Sequence, residues 1–330
     1  MKVCVTGAAG FIGSHVCDLL LERGFQVIGV DNCENPNPKN LALALSNPQF
    51  NFISADVRNK EKMISIISGV SYVVHLAALA DVVPSIQKPY EYFTNNVEGT
   101  LNVLEACRYA GVDKLVYAAS SSCYGLPTKF PTSESSEIRP MYPYALTKHL
   151  GEELAIHWLT VYELPVTSLR FFNVFGPRSR TTGNYGAVFG VFLAQKINGL
   201  PLTIVGDGTQ SRDFTYISDA ANAIIMAMQS PVCGTFNVGT GVDVSINHLA
   251  ELIGGEKIYL PKRPGEPDIT RADISLIRER IGWSPRVTFE QGVSKVLAEI
   301  DFWADAPVWT KESIFEATID WFKYLSPRDN

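Results

Sequence analysis

The chain has 330 residues, of which 46% are hydrophobic and 19% are charged, so it can bury the core of one large or two smaller folding units. Its net charge is −6 at pH 7 and its longest basic cluster is Lys262-Arg263, which argues against a nucleic-acid partner. No apolar run approaches the roughly 20 residues that cross a bilayer, and the first residues reach glycines too early for a signal peptide, so no membrane partner is expected.

The cysteines are scattered along the chain and form no Cys-x-x-Cys pair. A disulfide framework or a zinc site would need clustered cysteines, so we expect reduced thiols, no bound metal and a cytoplasmic location. The residues concerned are Cys4, Cys17, Cys33, Cys107, Cys123 and Cys233.

Short runs rich in β-branched residues alternate with amphipathic helical stretches through the first half of the chain. Strands are predicted at 2–6, 26–30, 50–54, 72–76, 114–118 and 166–170. Helices are predicted at 13–23, 60–67, 97–110 and 144–162. Continuous apolar strands separated by helices are typical of a parallel sheet that is covered on both faces. The predicted fold class is therefore α/β, with a Rossmann-type doubly wound parallel sheet of six or seven strands.

The regular alternation ends after about residue 172, where proline and glycine interrupt the chain repeatedly. One β-α-β unit is predicted again at 214–238. We therefore expect a Rossmann domain at 1–172 that also takes in about 214–240, interleaved with a smaller C-terminal α/β domain at 173–330. Near the C-terminus Trp303, Trp309 and Trp321 fall on a helical spacing, which is typical of a helix packed for stability or subunit contact.

The first predicted strand is followed by a glycine pattern in which Gly7, Gly10 and Gly13 lead into the first helix. Glycines at these spacings allow a tight turn, a close approach of the backbone to a pyrophosphate, and close packing of helix on strand. Asp31 ends the second strand, where a carboxylate accepts both ribose hydroxyls of NAD and repels the 2′-phosphate of NADP. Asp56, at the end of the third strand, is placed to hold the adenine. Together these positions predict a dinucleotide site with NAD as the cofactor.

Tyr144 and Lys148 lie four residues apart at the start of the helix after the fifth strand, so they share one helical face. A free tyrosine has a pKa near ~10, but a neighbouring ammonium and a positive nicotinamide ring both favour the phenolate. The fifth strand ends in a run of serines at 120–122, and ligands of doubly wound folds lie beyond the carboxyl ends of the strands. We therefore expect these hydroxyls and Tyr144 to face one crevice, with Tyr144 as general base.

Taken in chain order, these motifs resemble the NAD-dependent epimerase/dehydratase family of extended short-chain dehydrogenases, from residue 1 to about 295. The resemblance is closest to bacterial UDP-hexose and UDP-N-acetylhexosamine 4-epimerases. Its motifs are the glycine pattern, Asp31, 76–78, 96–100, the serine run, Tyr-x-x-x-Lys, 169–173, 206–214 and 263–266. The resemblance implies that the Rossmann domain binds NAD, that the C-terminal domain binds a nucleotide sugar, expected to be UDP-linked, and that the protein is a homodimer.

The family's functional residues carry over onto matching positions of this chain. The catalytic residues implied are Ser120 as the catalytic hydroxyl, Tyr144 as the base and Lys148 on the nicotinamide ribose. The NAD-binding residues implied are Gly7, Gly10, Phe11, Ile12, Gly13, Asp31, Asn32, Asp56, Val57, Leu76, Ala77, Ala78, Asn96, Tyr144, Lys148 and Phe171. The substrate-binding residues implied are Ser85, Ser121, Ser122, Asn173, Arg212, Arg263, Glu266 and Thr270. The two arginines are expected to neutralise the diphosphate, since guanidinium groups bind phosphate oxygens in a bidentate manner.

Members of the family share a first step, in which the base removes the proton of the sugar 4-hydroxyl while hydride passes from C4 to NAD. A 4-epimerase returns the hydride to the other face of the 4-keto sugar, whereas a 4,6-dehydratase eliminates water across C5 and C6 and needs a further acid/base pair. In the dehydratases an Asp-Glu or a lone Glu follows the catalytic Ser/Thr. Here those positions are Ser121 and Ser122, which do not remove a C5 proton at neutral pH. The same absence counts against the UDP-glucuronate decarboxylase subgroup.

Four further positions bear on the reaction and the substrate. GDP-sugar 3,5-epimerases use a cysteine two residues before the position of Tyr124, whereas Cys123 lies one residue before it and is interpreted as a packing residue. Thr270 stands where a bulky tyrosine restricts some 4-epimerases, so N-acetylated sugars are expected to fit. Asp81 and Pro267 depart from the pattern of the hexosamine epimerases, which leaves the hexose and the nucleotide base open.

The sequence therefore predicts a nucleotide-sugar 4-epimerase that works through a 4-keto intermediate with transient hydride transfer to NAD. The alternatives are a 4,6-dehydratase or another epimerase or reductase of the same family, and a non-catalytic NAD-binding regulator. The intact set of Ser120, Tyr144 and Lys148 argues against the regulator, since a sensor does not need all three.

Overall fold

The computed structural model describes residues 1–32, 38–179 and 187–326, so Cys33 lies outside the described residues. The strands are β1 (Lys2–Thr6), β2 (Gln26–Asp31), β3 (Phe50–Ser54), β4 (Tyr72–His75), β5 (Lys114–Ser120), β6 (Val166–Phe171), β7 (Asn173–Phe175), β8 (Leu202–Val205), β9 (Ser211–Tyr216), β10 (Gly234–Val238), β11 (Asp243–Ser245) and β12 (Lys257–Leu260). The α-helices are α1 (Phe11–Glu22), α2 (Ala42–Leu45), α3 (Lys60–Ile67), α4 (Val82–Gln87), α5 (Pro89–Phe93), α6 (Gly99–Ala110), α7 (Pro143–Tyr162), α8 (Val188–Ile197), α9 (Ile217–Gln229), α10 (Ile246–Ile253), α11 (Ser275–Ile281), α12 (Phe289–Ala298) and α13 (Lys311–Leu325).

A parallel sheet with the strand order β10-β6-β5-β4-β1-β2-β3 carries all six strands that the sequence predicts. The seventh strand, β10, extends the sheet by pairing with β6. This order confirms the doubly wound, Rossmann-type sheet. The direction of winding reverses between β1 and β4, and the crevice beyond the carboxyl ends of such strands is where ligands of this fold bind.

The inner strands of this sheet are mostly buried because helices cover both faces. Every residue of β6 is buried. Helices α1 and α9 pack together in one hydrophobic core, and α3, α6 and α7 form another on the opposite face. Since α1 begins after β1 and α7 precedes β6, both helices present their N-terminal ends to the same edge of the sheet.

A second region is organised around two smaller sheets, β11-β9-β7 and β12-β8, with a hydrophobic core of its own. The centre of that core is a cluster of aromatic rings from Phe175, Phe189, Phe214 and Phe289. None of the helices in the described ranges is long and apolar enough to cross a membrane.

The β-α-β unit expected at 214–238 is divided between two sheets. The helix α9 and the strand β10 join the large sheet, but β9 pairs with β7 and β11 in the three-stranded sheet. The reason is burial, because the ring of Phe214 stacks on Phe289 in the aromatic cluster of the second core. The expected return of a β-α-β unit to one sheet is therefore wrong for its first strand.

The three C-terminal tryptophans do not lie on one helix, contrary to the expectation from their spacing. Trp303 lies in a short 3₁₀ turn, Ile300–Trp303, whereas Trp321 lies in α13. Pro307 falls between them, and Thr310 caps the N-terminus of α13 through a reciprocal capping box. A new helix therefore starts there, and its direction is set independently of the preceding turn.

Candidate active site

A cavity of about 810 Å³ lies at the carboxyl ends of the strands of the large sheet, facing the second region. Ligand sites typically have volumes of roughly 300–1,000 Å³. The predicted cofactor and substrate positions meet in this one space. Those that line it are Gly7, Gly10, Phe11, Ile12, Gly13, Asp31, Asn32, Val57, Leu76, Ala77, Ala78, Ser120, Ser121, Ser122, Tyr144, Phe171, Asn173, Arg212, Arg263, Glu266 and Thr270.

The backbone of the glycine loop after β1 lies so close to neighbouring backbone atoms that side chains would not fit. Gly7 has a φ of +70°, and a Cβ on it would lie 2.8 Å from the backbone nitrogen of Ala77. A Cβ on Gly13 would overlap the carbonyl oxygen of Gly7. The backbone nitrogen of Ala9 donates to Asp31 Oδ2 at 3.0 Å, which fixes the carboxylate of β2 beside the loop. These residues fit a dinucleotide, since the loop leaves room for a pyrophosphate and Asp31 lies where ribose hydroxyls are bound.

Two predicted cofactor residues lie behind the cavity wall instead of on it. The Asp56 carboxylate accepts from the backbone nitrogen of Arg58 at 2.8 Å and from its guanidinium, so it shapes the turn that carries Val57 to the cavity. The side chain of Asn96 is buried and bridges the backbone of Leu79, accepting at 2.8 Å and donating at 3.0 Å. Both side chains therefore stabilise backbone that forms the wall of the cavity.

The hydroxyl groups of the predicted catalytic residues lie together, as the sequence predicts. Ser120 ends β5, its Oγ lies 2.7 Å from Ser122 Oγ, and its side chain is near enough to the phenol of Tyr144 to affect the pKa of that phenol. Tyr144 is in the first turn of α7, which begins at Pro143 where a missing N–H costs nothing. Burial raises the pKa of Tyr144 above its usual value, and the side chain of Ser120 opposes that rise. The structure thus places the phenol of Tyr144 and the hydroxyls of Ser120 and Ser122 together in the cavity.

Lys148 is buried beneath this hydroxyl cluster and does not line the cavity. Its Nζ lies 4.4 Å from the centre of the Tyr117 ring, and the Tyr117 hydroxyl donates to the Lys148 carbonyl at 3.0 Å. Burial lowers the pKa of Lys148 to about 7, and the negative charge of Glu152 opposes that fall. The sequence argument expected the ammonium to act mainly on Tyr144, whereas here Lys148 rests on the face of Tyr117.

Two neighbouring arginines, Arg212 and Arg263, line the cavity from the second region. Arg212 Nη1 donates to the Ser211 carbonyl at 2.8 Å, and burial lowers the pKa of the guanidinium. The positive charge of Arg263 also lowers the pKa of Arg212, whereas the negative charge of Glu266 raises it. Glu266 in addition forms an ion pair with Arg263 Nε at 3.3 Å. Two guanidinium groups with one carboxylate in a desolvated space favour the binding of an anion, because an anion offsets both the burial and the repulsion.

The remaining predicted substrate-binding residues differ in whether their side chains reach the cavity. Thr270 Oγ1 donates to Asn173 Oδ1 at 3.3 Å, so these two form one polar edge of the cavity. Ser85 is fully buried inside α4, where its hydroxyl donates to the Val82 carbonyl at 2.6 Å. The structure therefore does not bring Ser85 to the site, because a helix-internal hydrogen bond turns its hydroxyl inward.

Cys123 packs in the hydrophobic core on one face of the large sheet. Burial raises its pKa to about 12. It therefore stays a protonated thiol at neutral pH, in line with the packing role that the strand geometry predicts.

Comparison with known proteins gives the site its context. The model of the NAD dependent epimerase/dehydratase family matches residues 3–239. This chain belongs to that family. It is 36% identical to a putative UDP-glucose 4-epimerase of Methanocaldococcus jannaschii over 89% of this chain and 97% of that protein.

Two solved structures of the family superpose closely on this chain. A UDP-glucuronic acid 4-epimerase from Bacillus cereus, in complex with UDP-glucuronic acid and NAD, has a TM-score of 0.85 and 34% identity over 92% of this chain and 99% of that one. A UDP-N-acetylglucosamine 4-epimerase from Methanobrevibacter ruminantium, in complex with UDP-N-acetylmuramic acid, has a TM-score of 0.85 and 33% identity over 90% and 98%. The chain therefore shares its fold with family members of differing sugar specificity.

Tyr142 and Trp321 are among the cavity residues that the sequence reasoning missed. Tyr142 is the N-cap residue of α7, with its ring nearly parallel to that of Tyr144 at a centroid distance of 6.4 Å. Its ring centre also lies 5.9 Å from that of Trp321. The proximity of Tyr142 to the Tyr-x-x-x-Lys motif was a usable signal. Trp321 lies beyond the family motifs, so nothing local marked it as part of the site.

Proposed function

We propose that this protein is a nucleotide-sugar 4-epimerase, which inverts C4 of a UDP-hexose or UDP-N-acetylhexosamine through a 4-keto intermediate with NAD as cofactor. The observation that carries the proposal is one cavity that joins three groups. These are the glycine loop with Asp31, the hydroxyl cluster of Ser120 and Tyr144, and the arginine pair. The three relatives described above are all named as 4-epimerases, one of them provisionally, and all act on UDP sugars by name.

The chemistry follows from what these side chains hold and move. Tyr144 accepts the proton of the sugar 4-hydroxyl and returns it when the 4-keto sugar is reduced, while Ser120 donates a hydrogen bond at the same oxygen. NAD, when bound, supplies the reversible two-electron acceptor for C4. Because burial raises the pKa of Tyr144, its phenolate needs nearby positive charge. A bound nicotinamide ring would supply that charge, and Lys148, one helical turn away in α7, adds to it below its pKa of about 7. We propose that Lys148 also binds the nicotinamide ribose.

The residues beside Ser120 favour epimerisation over dehydration. Ser122 shares a hydrogen bond with Ser120, and Ser121 lines the cavity next to it. Hydroxyls of this kind do not remove a carbon-bound proton at neutral pH, which elimination across C5 and C6 requires. A 4,6-dehydratase or a reductase remains the alternative outcome of the test.

The test is to incubate the purified protein with UDP-GlcNAc without added NAD and to follow the sugar by NMR. A product inverted at C4 is expected, because an epimerase regenerates its oxidised cofactor in every turnover. A 4-keto-6-deoxy product would instead make the protein a dehydratase. If UDP-GlcNAc, UDP-glucose and UDP-glucuronic acid all stay unchanged, the proposal of a UDP-sugar epimerase is wrong.

Thr270 sets an expectation for which sugar is accepted. Its hydroxyl is held between the backbone nitrogen of Asp213 at 3.2 Å and the side chain of Asn173, so its β-carbon faces the cavity edge. We expect Thr270→Tyr to lower kcat/KM for UDP-GlcNAc by about tenfold or more, because overpacking a filled site costs ~1–3 kcal/mol. Turnover of UDP-glucose should change much less. Thr270→Ser is the matched control, and equal losses on both sugars would contradict the specificity role.

We propose that the two regions have separate roles, as the domain organisation predicted from the sequence implies. Residues 1–172 together with about 214–240 form the NAD-binding part, and the remainder of 173–330 forms the substrate part. The glycine loop and Asp31 come from the first, whereas Arg212, Arg263 and Thr270 come from the second.

A cytoplasmic location is proposed too, because the cysteines of the described ranges are free thiols. Cell fractionation with an antibody to the chain tests that location.

We further propose that the protein is a homodimer through α6 and α7. These neighbouring helices expose several large apolar side chains, namely Tyr109, Leu146, Val161 and Tyr162, with Leu146 46% exposed. Exposed apolar surface of this kind favours contact with another copy, and a two-fold axis lets the same surface cover itself.

Changing that surface should separate the protomers. Leu146→Glu combined with Val161→Glu is expected to give a monomer in sedimentation velocity, since a buried unpaired carboxylate at each copy disfavours association. Leu43→Glu on α2, another exposed leucine, is the control and should leave the state unchanged. A wild-type protein that sediments as a monomer at micromolar concentration would refute the dimer.

A further inference from the structure

The C-terminal helix α13 lies beyond the part of the chain that carries the family motifs, which end near residue 295. The relatives described above are matched over nearly their whole length, yet they leave about a tenth of this chain unmatched. In the structure, α13 nevertheless reaches back to the substrate cavity, where Trp321 is part of the wall. An element outside the shared motifs therefore takes part in the site.

The docking of α13 is specific. Ile314, Thr318 and Trp321 are buried at helical spacing, whereas Phe315 is 66% exposed. The helix packs against α4, and Gln87 Nε2 donates to Asp320 Oδ2 at 3.2 Å across that contact. One face of α13 is thus fixed toward the cavity.

Trp321 joins the loop that carries Arg263 to the residue beside the base. Its indole Nε1 donates to the Pro264 carbonyl at 2.6 Å, and the Arg263 guanidinium lies 5.4 Å from its ring centre. The other side of the indole packs against Tyr142, whose ring is stacked beside Tyr144. The side chain of Trp321 itself is only 3% exposed.

We propose that Trp321 is a positioning residue that holds Arg263 in place for the diphosphate of the substrate, so that α13 forms an outer wall of the nucleotide-sugar site. This rests on the proposed function in so far as the anion is the diphosphate of a nucleotide sugar. The loop needs such support, because Arg263 is repelled by Arg212 and Gly265 adopts a φ of +73° in a segment interrupted by prolines. The indole face attracts the guanidinium and its N–H fixes the backbone, so both the charge and its place are set before substrate arrives.

The test compares ligands with and without the diphosphate. Dissociation constants of UDP and of uridine are measured by titration calorimetry on the full chain for the wild type, Trp321→Phe, Trp321→Ala and the exposed control Phe315→Ala. Trp321→Ala should weaken UDP about tenfold, since it loses one hydrogen bond and one cation–π contact, and should leave uridine unchanged. Trp321→Phe keeps an aromatic ring but loses the N–H donor, so its affinity for UDP should lie between those of the wild type and Trp321→Ala. KM for the sugar nucleotide should rise as UDP affinity falls, while the bound NAD per chain stays at the wild-type value.

A double-mutant cycle ties the effect to Arg263. In the background of Arg263→Ala, the change Trp321→Ala should cause no further loss of UDP affinity, because the group that it positions is gone. Equal losses for UDP and uridine, an unchanged UDP affinity in Trp321→Ala, or additive losses in the cycle would each overturn the proposal. A wild-type protein that binds no UDP would overturn the proposed function as well, which distinguishes the two failures.

Discussion

The change Tyr144→Phe is expected to lower kcat by about 10²- to 10⁴-fold, the range that general acid–base catalysis contributes. In the proposed reaction the phenol, which lines the cavity, both accepts and returns the 4-hydroxyl proton. Phenylalanine keeps the ring and its packing against Tyr142 but removes the proton carrier. The loss should therefore appear in kcat far more than in the affinity for UDP.

The measurement is the initial rate of C4 inversion together with the NAD content of the purified protein. NAD content should stay at the wild-type value, since the glycine loop and Asp31 are untouched. Tyr90→Phe, in α5, is the matched control because its side chain is exposed and does not line the cavity. A kcat for Tyr144→Phe within threefold of wild type would mean that another group carries the proton.

The fold was predictable where it depends on local patterns. Each predicted strand is found in the large sheet with shifts of one or two residues, because strands buried on both faces read as unbroken apolar runs. The start of α6 was placed two residues early, since a π-helical turn, Thr94–Glu98, comes before it. The second region was less predictable, because β9 is placed by aromatic packing against residues distant in the sequence.

The site, like the fold, was predictable from the sequence only in part. The glycine loop, Asp31 and the serine run sit at strand ends, and the topology of a doubly wound sheet brings such ends together. Side-chain directions do not follow from topology, which is why Ser85 was placed in the site although its hydroxyl bonds within α4. The position of Lys148 over Tyr117 likewise depends on how a helix packs on its sheet. Trp321 needed the docking of a whole C-terminal helix, for which no short motif exists.

Removing one partner of the ion pair between Glu152 and Arg170 is expected to cost about 3–5 kcal/mol in the free energy of unfolding. Both side chains are buried, at 2% and 8% exposure, and Arg170 Nε donates to Glu152 Oε1 at 3.0 Å. Ser168 donates to the same carboxylate at 2.9 Å, so the pair ties α7 to β6. Glu152→Gln keeps the shape but leaves the Arg170 charge without its anion, and it also loosens the helix that carries Tyr144.

Urea denaturation of Glu152→Gln and wild type measures this loss. The control is Glu91→Gln, which breaks the exposed pair of Glu91 with Lys88 and should cost no more than about 1 kcal/mol. If the two variants lose equal stability, the buried pair is not the anchor of α7. A normal stability for Glu152→Gln with reduced activity would instead confine its role to the site.

The pH dependence of stability separates this pair from other buried groups. Burial opposes ionisation of Glu152, but His149, Arg170 and Ser168 outweigh it and lower its pKa to about 2, against ~4.3 in the unfolded chain. Stability from this group is therefore present above pH ~4.3 and is lost as the pH falls toward 2, where the unfolded state binds the extra proton. Burial lowers the pKa of His75 to about 3, so its contribution is lost over a higher window that begins near pH ~6.5. Glu152→Gln should thus flatten the fall in stability below pH ~4 and leave the slope between pH ~6.5 and 5 unchanged, because that slope belongs to His75 and to His15, whose pKa is also lowered by burial. A change confined to the upper window would mean that the acid sensitivity of the fold does not reside in Glu152.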